Sequence, residues 1–502
     1  MLRERFFAEA SACLLLAEVR DFLAGRGVAC YLVGGAVRDG LMGKATRDLD
    51  LAVAGDVLTL AREAAGVLGG RYVPLDEVNQ VARVVVSRAE GSWYLDLTAL
   101  RGSIEDDLAQ RDFTIDAMAI PLEEVAPGWS LVPLVDSQNG LADLRIGLVR
   151  AVSHEAFRQD AARLLRAYRL AAELGFTIEG ETEAIVKRDH ALIAGVAAER
   201  VRDELCGVLA VSASAPWLRR LDGAGLLGVI IPELEATRGV EQPKEHYWDV
   251  FEHSLETVAA LERLLGDRSS PGADEVLDVV PRSPRLAQHF QRETSGGRTR
   301  MVILMLAALL HDLGKPAMKH FDEDGRMRFI GHAREGAAMA ASIMQRLKFS
   351  SREAGMVERM VAYHMRPGQM ASEGLPTHRA IYRYFRDAGD GGVDILFLGL
   401  ADHLATRGPR LSLPEWKKHA QLVDYVLARY FDAQSAVVPP KLIDGHDIMR
   451  ALGLGPGPRL GQLLEEVREA QAAGEVRTRE EALAYLKERF GRERCAGEMR
   501  HS

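Results

Sequence analysis

The sequence predicts an α+β chain, with a small head of strands and helices over about the first 147 residues and helical segments after it. Three observations predict this. Tyr31-Leu32-Val33 and Asp48-Leu49-Asp50-Leu51-Ala52-Val53 read as short strands on either side of a Gly34-Gly35 turn and the start of a helix. Beyond residue 148 the spacing becomes helical, as in Arg163, Arg166 and Arg169, which recur every three residues. Met301 to Leu310 is a nearly continuous apolar run of helix length, closed by His311-Asp312.

In chain order, the first strand is Tyr31 to Val33, and Gly34-Gly35 after it lets the backbone come within hydrogen-bonding distance of a phosphate, where a Cβ would obstruct it. Val37-Arg38-Asp39 begins a helix whose N-terminal amides face the same anion. In the next strand residues two apart share a face, so Asp48 and Asp50 point together while Leu49 and Leu51 enter the core. Two hard carboxylates side by side suit Mg2+, which prefers a few carboxylates plus substrate phosphates and can serve an in-line displacement. Taken alone, Gly-Gly is most often an ordinary turn and Asp-x-Asp a solvated strand face; the combination is far more specific. Asp96, in Trp93-Tyr94-Leu95-Asp96-Leu97-Thr98, is the candidate third carboxylate on a neighbouring strand. In Gln110 to Ala119 the fork of Arg111 matches phosphate oxygens, and Asp112 suits a ribose hydroxyl.

The glycine turn, the Asp-x-Asp strand and the segment Arg111-Asp112-Phe113-Thr114-Ile115-Asp116-Ala117 resemble the class II tRNA nucleotidyltransferase and bacterial poly(A) polymerase family of the DNA polymerase beta-like superfamily. The resemblance implies a nucleotidyltransferase head with a mixed β-sheet and helices, then all-α neck, HD and tail domains. It implies Asp48, Asp50 and Asp96 as catalytic residues, and a nucleotide held by Gly34, Gly35, Arg38, Arg111 and Asp112. It extends through Phe157 to Arg169, where Asp160 and Arg163 match the family's pair that reads the incoming base as a protein template, with Arg166 and Arg169 on the same helix stripe and Asp160 one turn before. An acceptor carboxylate beside a guanidinium fork complements cytosine and, after a small rotation, adenine. Three positions depart from the family pattern: Gln159 for Glu, Gln110 for Arg and Asp116 for Asn. The connection from Leu97 to Ser103 is also short, which in the family goes with enzymes that add only the two cytidines.

In the second half His253, His311, Asp312, His332, His364 and Asp402 recur at helical positions. Neutral imidazoles with interspersed carboxylates are ligands for divalent transition metals. The pattern resembles an HD-domain metal-dependent phosphohydrolase, which implies His253, His311, Asp312 and Asp402 as ligands, and His332 and His364 as ligands for a second metal. Such a domain implies Mn2+, Ni2+, Fe2+ or a similar ion, and phosphatase or cyclic phosphodiesterase activity.

The expected organisation is a head over 1–147, a helical neck over 148–235, an HD domain over 236–430 with an insertion loop at about 266–300, and a tRNA-binding tail over 431–502. Hydrophobic content of 47% is ample for cores in a chain of 502 residues. Cys13, Cys30, Cys206 and Cys495 lack any paired spacing, which argues for a reducing, cytoplasmic setting and against a zinc cluster. The N-terminus does not read as a secretory signal, and no uninterrupted apolar run of transmembrane length appears. A net charge of −9 does not itself suggest nucleic acid, but Arg145, Arg150, Arg158, Arg163, Arg166, Arg169, Lys187 and Arg188 cluster and could follow a tRNA acceptor arm. The expected function is template-independent addition of C or CCA to tRNA from CTP and ATP, with a phosphohydrolase activity beside it. The alternatives are a CC-adding specialist, a poly(A) polymerase, an HD phosphohydrolase whose head is an RNA-binding module, and a purely structural RNA-binding protein.

Overall fold

A computed structural model describes residues 2–6, 10–124, 132–266, 274–370, 374–432 and 441–498. The chain forms two compact units, one of residues 1–208 with 220–230 and the other of residues 209–219 with 231–502. The boundary expected at 147/148 is not a break between units: head and most of the neck are one body. Ion pairs described below join them, which composition along the chain does not reveal.

The first unit is built on a six-stranded mixed sheet. Its strands are β1 (Cys30–Val33), β2 (Asp48–Val53), β3 (Arg71–Asp76), β4 (Val81–Arg88), β5 (Gly91–Ala99) and β6 (Ala119–Pro121), in the order β3-β4-β5-β2-β1-β6. Only the β2–β5 pair is parallel. Leu49, Leu51, Trp93, Leu95 and Leu97 are buried while Asp48, Asp50 and Asp96 alternate with them on the opposite face, as the period of a strand requires. Helices α1 (Ala10–Ala24) and α3 (Val57–Leu68) pack together on the sheet's apolar side, and α2 (Gly35–Leu41) follows the glycine turn. α4 (Ile104–Ala109) starts on a Ser103–Asp106 capping box only a few residues after β5.

The neck departs from expectation at one point that matters. Asp160 does not share a helix with the arginine stripe: α5 (Glu155–Gln159) ends at it, Asp160 has extended backbone (φ −148°, ψ 98°), and α6 (Arg163–Leu174) begins afterwards. Its side chain accepts from the Ala162 amide at 3.2 Å, the local bond by which Asp competes with helix continuation. α7 (Ala198–Ala210) packs beside α6, joined to it by Glu204, which takes Arg166 at 3.2 Å and Arg169 at 2.6 Å.

The second unit is helical. α8 (Val250–Leu265), α9 (Arg300–Leu310), α10 (His332–Arg346), α11 (Ser351–Tyr363) and α12 (Gly392–Arg407) form its core, α8 against α9 and α12, and α11 against α9 and α10. The stretch Arg300–Met318 has the length and apolarity of a membrane span, yet 78% of its window is buried among the other helices. At its start Arg300, 1% exposed, grips Asp394 of α12, 0% exposed, with Nε 2.8 Å from Oδ1 and Nη2 2.6 Å from Oδ2. The segment expected as an insertion loop at 266–300 is partly ordered into elements: helices Glu275–Asp278 and Pro284–Gln291 and a short hairpin, Glu293–Ser295 with Arg298–Thr299; residues 267–273 lie outside the described residues. Ser283 caps the second helix and Leu286 and Phe290 are buried, so the Ser- and Pro-rich composition encodes helix starts as well as turns. The tail helices α13 (Gly445–Leu452), α14 (Pro458–Ala472) and α15 (Arg479–Glu498) enclose a small core of their own around Ile448, Leu463, Val467 and Leu486.

Candidate active site

The register of the sheet builds the head site. Val33 lies opposite Asp50, Asp50 opposite Asp96, and Asp96 opposite Arg83, so the glycine turn and three acidic positions occupy one end of neighbouring strands. Gly34 has φ 69° and ψ −141°, and a Cβ there would stand 3.0 Å from both Asp50 Oδ2 and Arg111 Nη1. The cradle therefore exists only because residue 34 is glycine. Burial, then repulsion from Asp96, pushes the Asp50 carboxyl up to about 6. Burial also raises Asp48. A divalent cation would relieve this mutual repulsion, so Asp48 and Asp50 fit the group expected of them.

Not every predicted residue is free to bind. Arg83 holds both oxygens of Asp96, Nε to Oδ1 and Nη2 to Oδ2 at 2.7 Å each, so Asp96 keeps one lone pair on each oxygen for a metal. Arg38 is nearly buried beneath Gly35 and bonds Asp116 at 2.6 Å and Asp39 at 2.9 Å. Thus Asp116, where the family often has Asn, supplies a carboxylate to this guanidinium. Arg111 contacts Asp107 at 3.2 Å and faces the glycine turn. Asp112 is buried and accepts from Arg166 Nη1 at 2.9 Å; burial opposes its ionisation, but Arg166 and Arg163 hold its carboxyl below the usual range. Arg166 and Arg169 are likewise committed to acids within the unit, to Asp112 and Glu204, and to Glu204 and Glu173.

The base-template candidates meet, though not alone. Arg163 Nε is 4.0 Å from Asp160 Oδ2, while Arg163 Nη1 and Nη2 donate to the carbonyls of Ala156 and Gln110. Arg200, which the sequence reading did not single out, holds Asp160 with Nη1 on Oδ1 at 2.9 Å and Nη2 on Oδ2 at 2.6 Å. Burial would raise the Asp160 carboxyl, and the Arg200 bonds keep it below the ordinary range. The available signal was the charged, helical segment Ala198 to Leu205.

In the second unit five elements bring all six predicted ligands together. His253 lies within α8, His311 and Asp312 follow α9, His332 opens α10, His364 follows α11 and Asp402 lies within α12. Asp312 stands at the centre: Oδ2 is 3.3 Å from His253 Nε2 and 3.2 Å from His311 Nε2, while Oδ1 is 3.5 Å from His332 Nε2 and 3.8 Å from His364 Nε2. Asp402 Oδ1 completes the first group at 3.1 Å from His253. Nδ1 of His311, His332 and His364 faces the carbonyl of Ala308, Phe329 and Val361 at 2.7–2.8 Å, which assigns the proton to Nδ1 and the lone pair to Nε2. His332 and His364 then face one another through Nε2 at 3.3 Å, and two lone pairs cannot hydrogen-bond, while His311 Nε2 lies 3.2 Å from His253 Nε2. Burial pushes His364 down to about 4, so it is neutral and ready to ligate. Neither buried oxygen of Asp312 accepts a well-directed hydrogen bond from the described residues, although Lys315 Nζ stands 2.5 Å from Oδ2. Carboxylate oxygens without a well-directed hydrogen bond, set between converging imidazoles, fit divalent metal on both sides of Asp312. A cavity of about 680 Å³ opens beside this cluster, lined by His246, Lys315, Phe329, Tyr363 and Arg366 among others. Lys315 and His246 were not singled out in the sequence, although Lys315 lies one helical turn past Asp312.

Profiles of known families match along the chain: the Poly A polymerase head domain at residues 30–150, the probable RNA and SrmB-binding site of polymerase A at 175–237, and the HD domain at 250–406. The A-adding tRNA nucleotidyltransferase of Deinococcus radiodurans is 36% identical over 461 residues, covering 91% of this chain and 94% of that protein. The CC-adding tRNA nucleotidyltransferase of Thermus thermophilus is 36% identical over 464 residues, covering 91% and 92%. Among solved structures, the Thermotoga maritima CCA-adding enzyme complexed with tRNA superposes with a TM-score of 0.59 at 21% identity, covering 98% of this chain and all of that one, a likeness of fold. With the acidic pair on β2, the glycine turn beside it and an HD cluster in the second unit, the chain belongs to the class II tRNA nucleotidyltransferase and bacterial poly(A) polymerase family, and it is a nucleotidyltransferase carrying an HD domain.

Proposed function

We propose that the chain adds cytidine to the 3′ ends of tRNA from CTP, without a nucleic-acid template, and that it stops after CC. The observation that carries the transfer reaction is Asp48 and Asp50 on one strand face against the Gly34 cradle. In this reading the tRNA 3′-hydroxyl oxygen forms a bond to the α-phosphorus, the bond from that phosphorus to the bridging oxygen breaks, and pyrophosphate leaves. Asp48 and Asp50 would hold Mg2+, which would neutralise phosphate charge there, and Asp96 would be the third carboxylate. The glycine turn and Arg111 receive the phosphates, Arg38 shapes the turn from below, and Asp112 orients the sugar. Asp160 and Arg163 read the base, and the basic neck follows the acceptor arm.

The stop after CC rests on the connection from β5 to α4. Only Leu100, Arg101, Gly102 and Ser103 join them, and the capping box on Ser103 leaves no flexible loop in that place. Both an A-adding and a CC-adding enzyme are similar to this chain, so base choice is for experiment. Purified protein would be given tRNA ending at the discriminator base, at C and at CC, with CTP and ATP separately and together, and products resolved to one nucleotide. Growth ending at CC supports the proposal. Addition of A after CC makes the chain a CCA-adding enzyme, long A tails on arbitrary RNA make it a poly(A) polymerase, and no incorporation with any substrate overturns transfer to RNA.

A second activity is favoured by the cluster around Asp312: hydrolysis of phosphomonoesters or cyclic phosphodiesters with Mn2+, Ni2+ or Fe2+. A bound metal would supply an acidified water. His253, His311 and Asp402 would hold one ion with Asp312, His332 and His364 a second with its other oxygen, and Lys315 with Arg366 would meet the phosphate oxygens. The division into head, neck, HD domain and tail at about 147, 235 and 430 belongs to the same proposal, as does a cytoplasmic location, which the scattered spacing of the four cysteines supports.

A further inference from the structure

We infer that Arg200 is a positioning residue that favours cytosine over adenine by locking the Asp160 carboxylate in one orientation; this rests on the reading of Asp160 and Arg163 as the base template. A carboxylate offers about four lone-pair sites. On Asp160, Oδ1 accepts from Arg200 Nη1 at 2.9 Å and from the Ala162 amide at 3.2 Å, while Oδ2 accepts from Arg200 Nη2 at 2.6 Å. One site remains, on Oδ2, the oxygen that faces Arg163 Nε at 4.0 Å. Arg163 is fixed too, since both its terminal nitrogens donate to backbone carbonyls.

The pair therefore presents a single acceptor beside a cationic donor, at one spacing. Cytosine matches it with its amino group and the adjacent ring nitrogen. Uracil and guanine present a carbonyl where the carboxylate requires a donor, leaving two acceptors opposed and desolvated. Adenine carries the same donor and acceptor as cytosine but on a two-ring base, so its edge falls elsewhere relative to the sugar. To follow it Asp160 must swing, and a bidentate guanidinium resists that swing because both bonds break together. Gln159, exposed and uncharged, brings no second carboxylate to compete for Arg200. The Arg200 side chain is 52% exposed, so it is not a core residue whose loss should unfold the neck.

The test compares full-length protein with Arg200→Ala, Arg200→Lys and Asp160→Ala, measuring kcat/KM for CTP and for ATP on the same tRNA acceptors, beside a thermal melt. Arg200→Ala should lower the CTP-to-ATP ratio by about tenfold or more, mainly through a higher KM for CTP, with an unchanged melt. Arg200→Lys, which offers a point charge in place of the fork, should fall between it and the unaltered protein. An unchanged ratio in Arg200→Ala, with CTP addition collapsed in Asp160→Ala, would overturn the locking role and spare the template. Asp160→Ala that keeps the original CTP preference would overturn the template reading and this inference with it.

Discussion

Replacing Asp394 by Ala tests whether the buried ion pair at the base of α9 and α12 maintains the HD cluster farther along them. Arg300 is 1% exposed and Asp394 0%, and the guanidinium bonds that carboxylate through Nε and Nη2, with Asp390 adding its carboxylate at 3.0 Å and its backbone carbonyl. Removing one partner of a buried pair costs about 3–5 kcal/mol because the other charge is stranded. Asp390, 49% exposed at its side chain, keeps part of the compensation, so the cost should lie near the lower end, about 3 kcal/mol. For a unit of this size that corresponds to a Tm lower by about 6–12 °C. Thermal and urea melts of the full chain would measure it, and titration with Mn2+ would show whether the metal binds more weakly as the register of α9 against α12 loosens. Arg300→Met with Asp394→Leu should recover part of the loss, since an apolar pair avoids the stranded charge. A Tm within about 2 °C of the unaltered protein for Asp394→Ala, or a double variant no better than the single one, would refute the reasoning.

Three further outcomes follow from the two sites. Asp48→Ala should abolish nucleotide addition and leave phosphoester hydrolysis at the level of the unaltered protein; residual transfer at full rate would remove Asp48 from the metal site. Gly34→Ala forces a side chain into positive φ against Asp50 and Arg111, and should destabilise the head by about 1–3 kcal/mol while raising KM for the nucleotide, measured by melts and initial rates. Mn2+ at about a hundred times its Kd should stabilise the second unit by about 2.7 kcal/mol in a thermal-shift assay. Asp312→Ala should erase that increment together with hydrolysis, and an undiminished shift would mean that the ion binds elsewhere.

Some of this architecture was legible because it is local. A strand's period of two carried Asp48 and Asp50 to one face and Leu49 and Leu51 to the other without reference to any other part of the chain. The Gly34 turn was readable because only glycine tolerates its backbone, and the His311-Asp312 doublet because it closes an apolar helix. The helix reading failed at Asp160, where spacing alone ran one helix through a residue whose side chain bonds the backbone and ends it. Composition likewise concealed the helices Glu275–Asp278 and Pro284–Gln291, since Ser, Asp and Pro serve helix starts as well as turns.

By itself, then, the sequence pointed to candidate residues and to the face most of them take within their own element. The tertiary structure alone decided their partners. That Arg83 takes both oxygens of Asp96, that Arg38 rests on Asp116, that Arg200 grips Asp160 and that His253 meets Asp402 across two helices all depend on register and packing between distant segments. Periodicity reports the direction in which a side chain points. What it meets is set by which other segment the burial of apolar surface brings opposite, and that is a property of the whole fold.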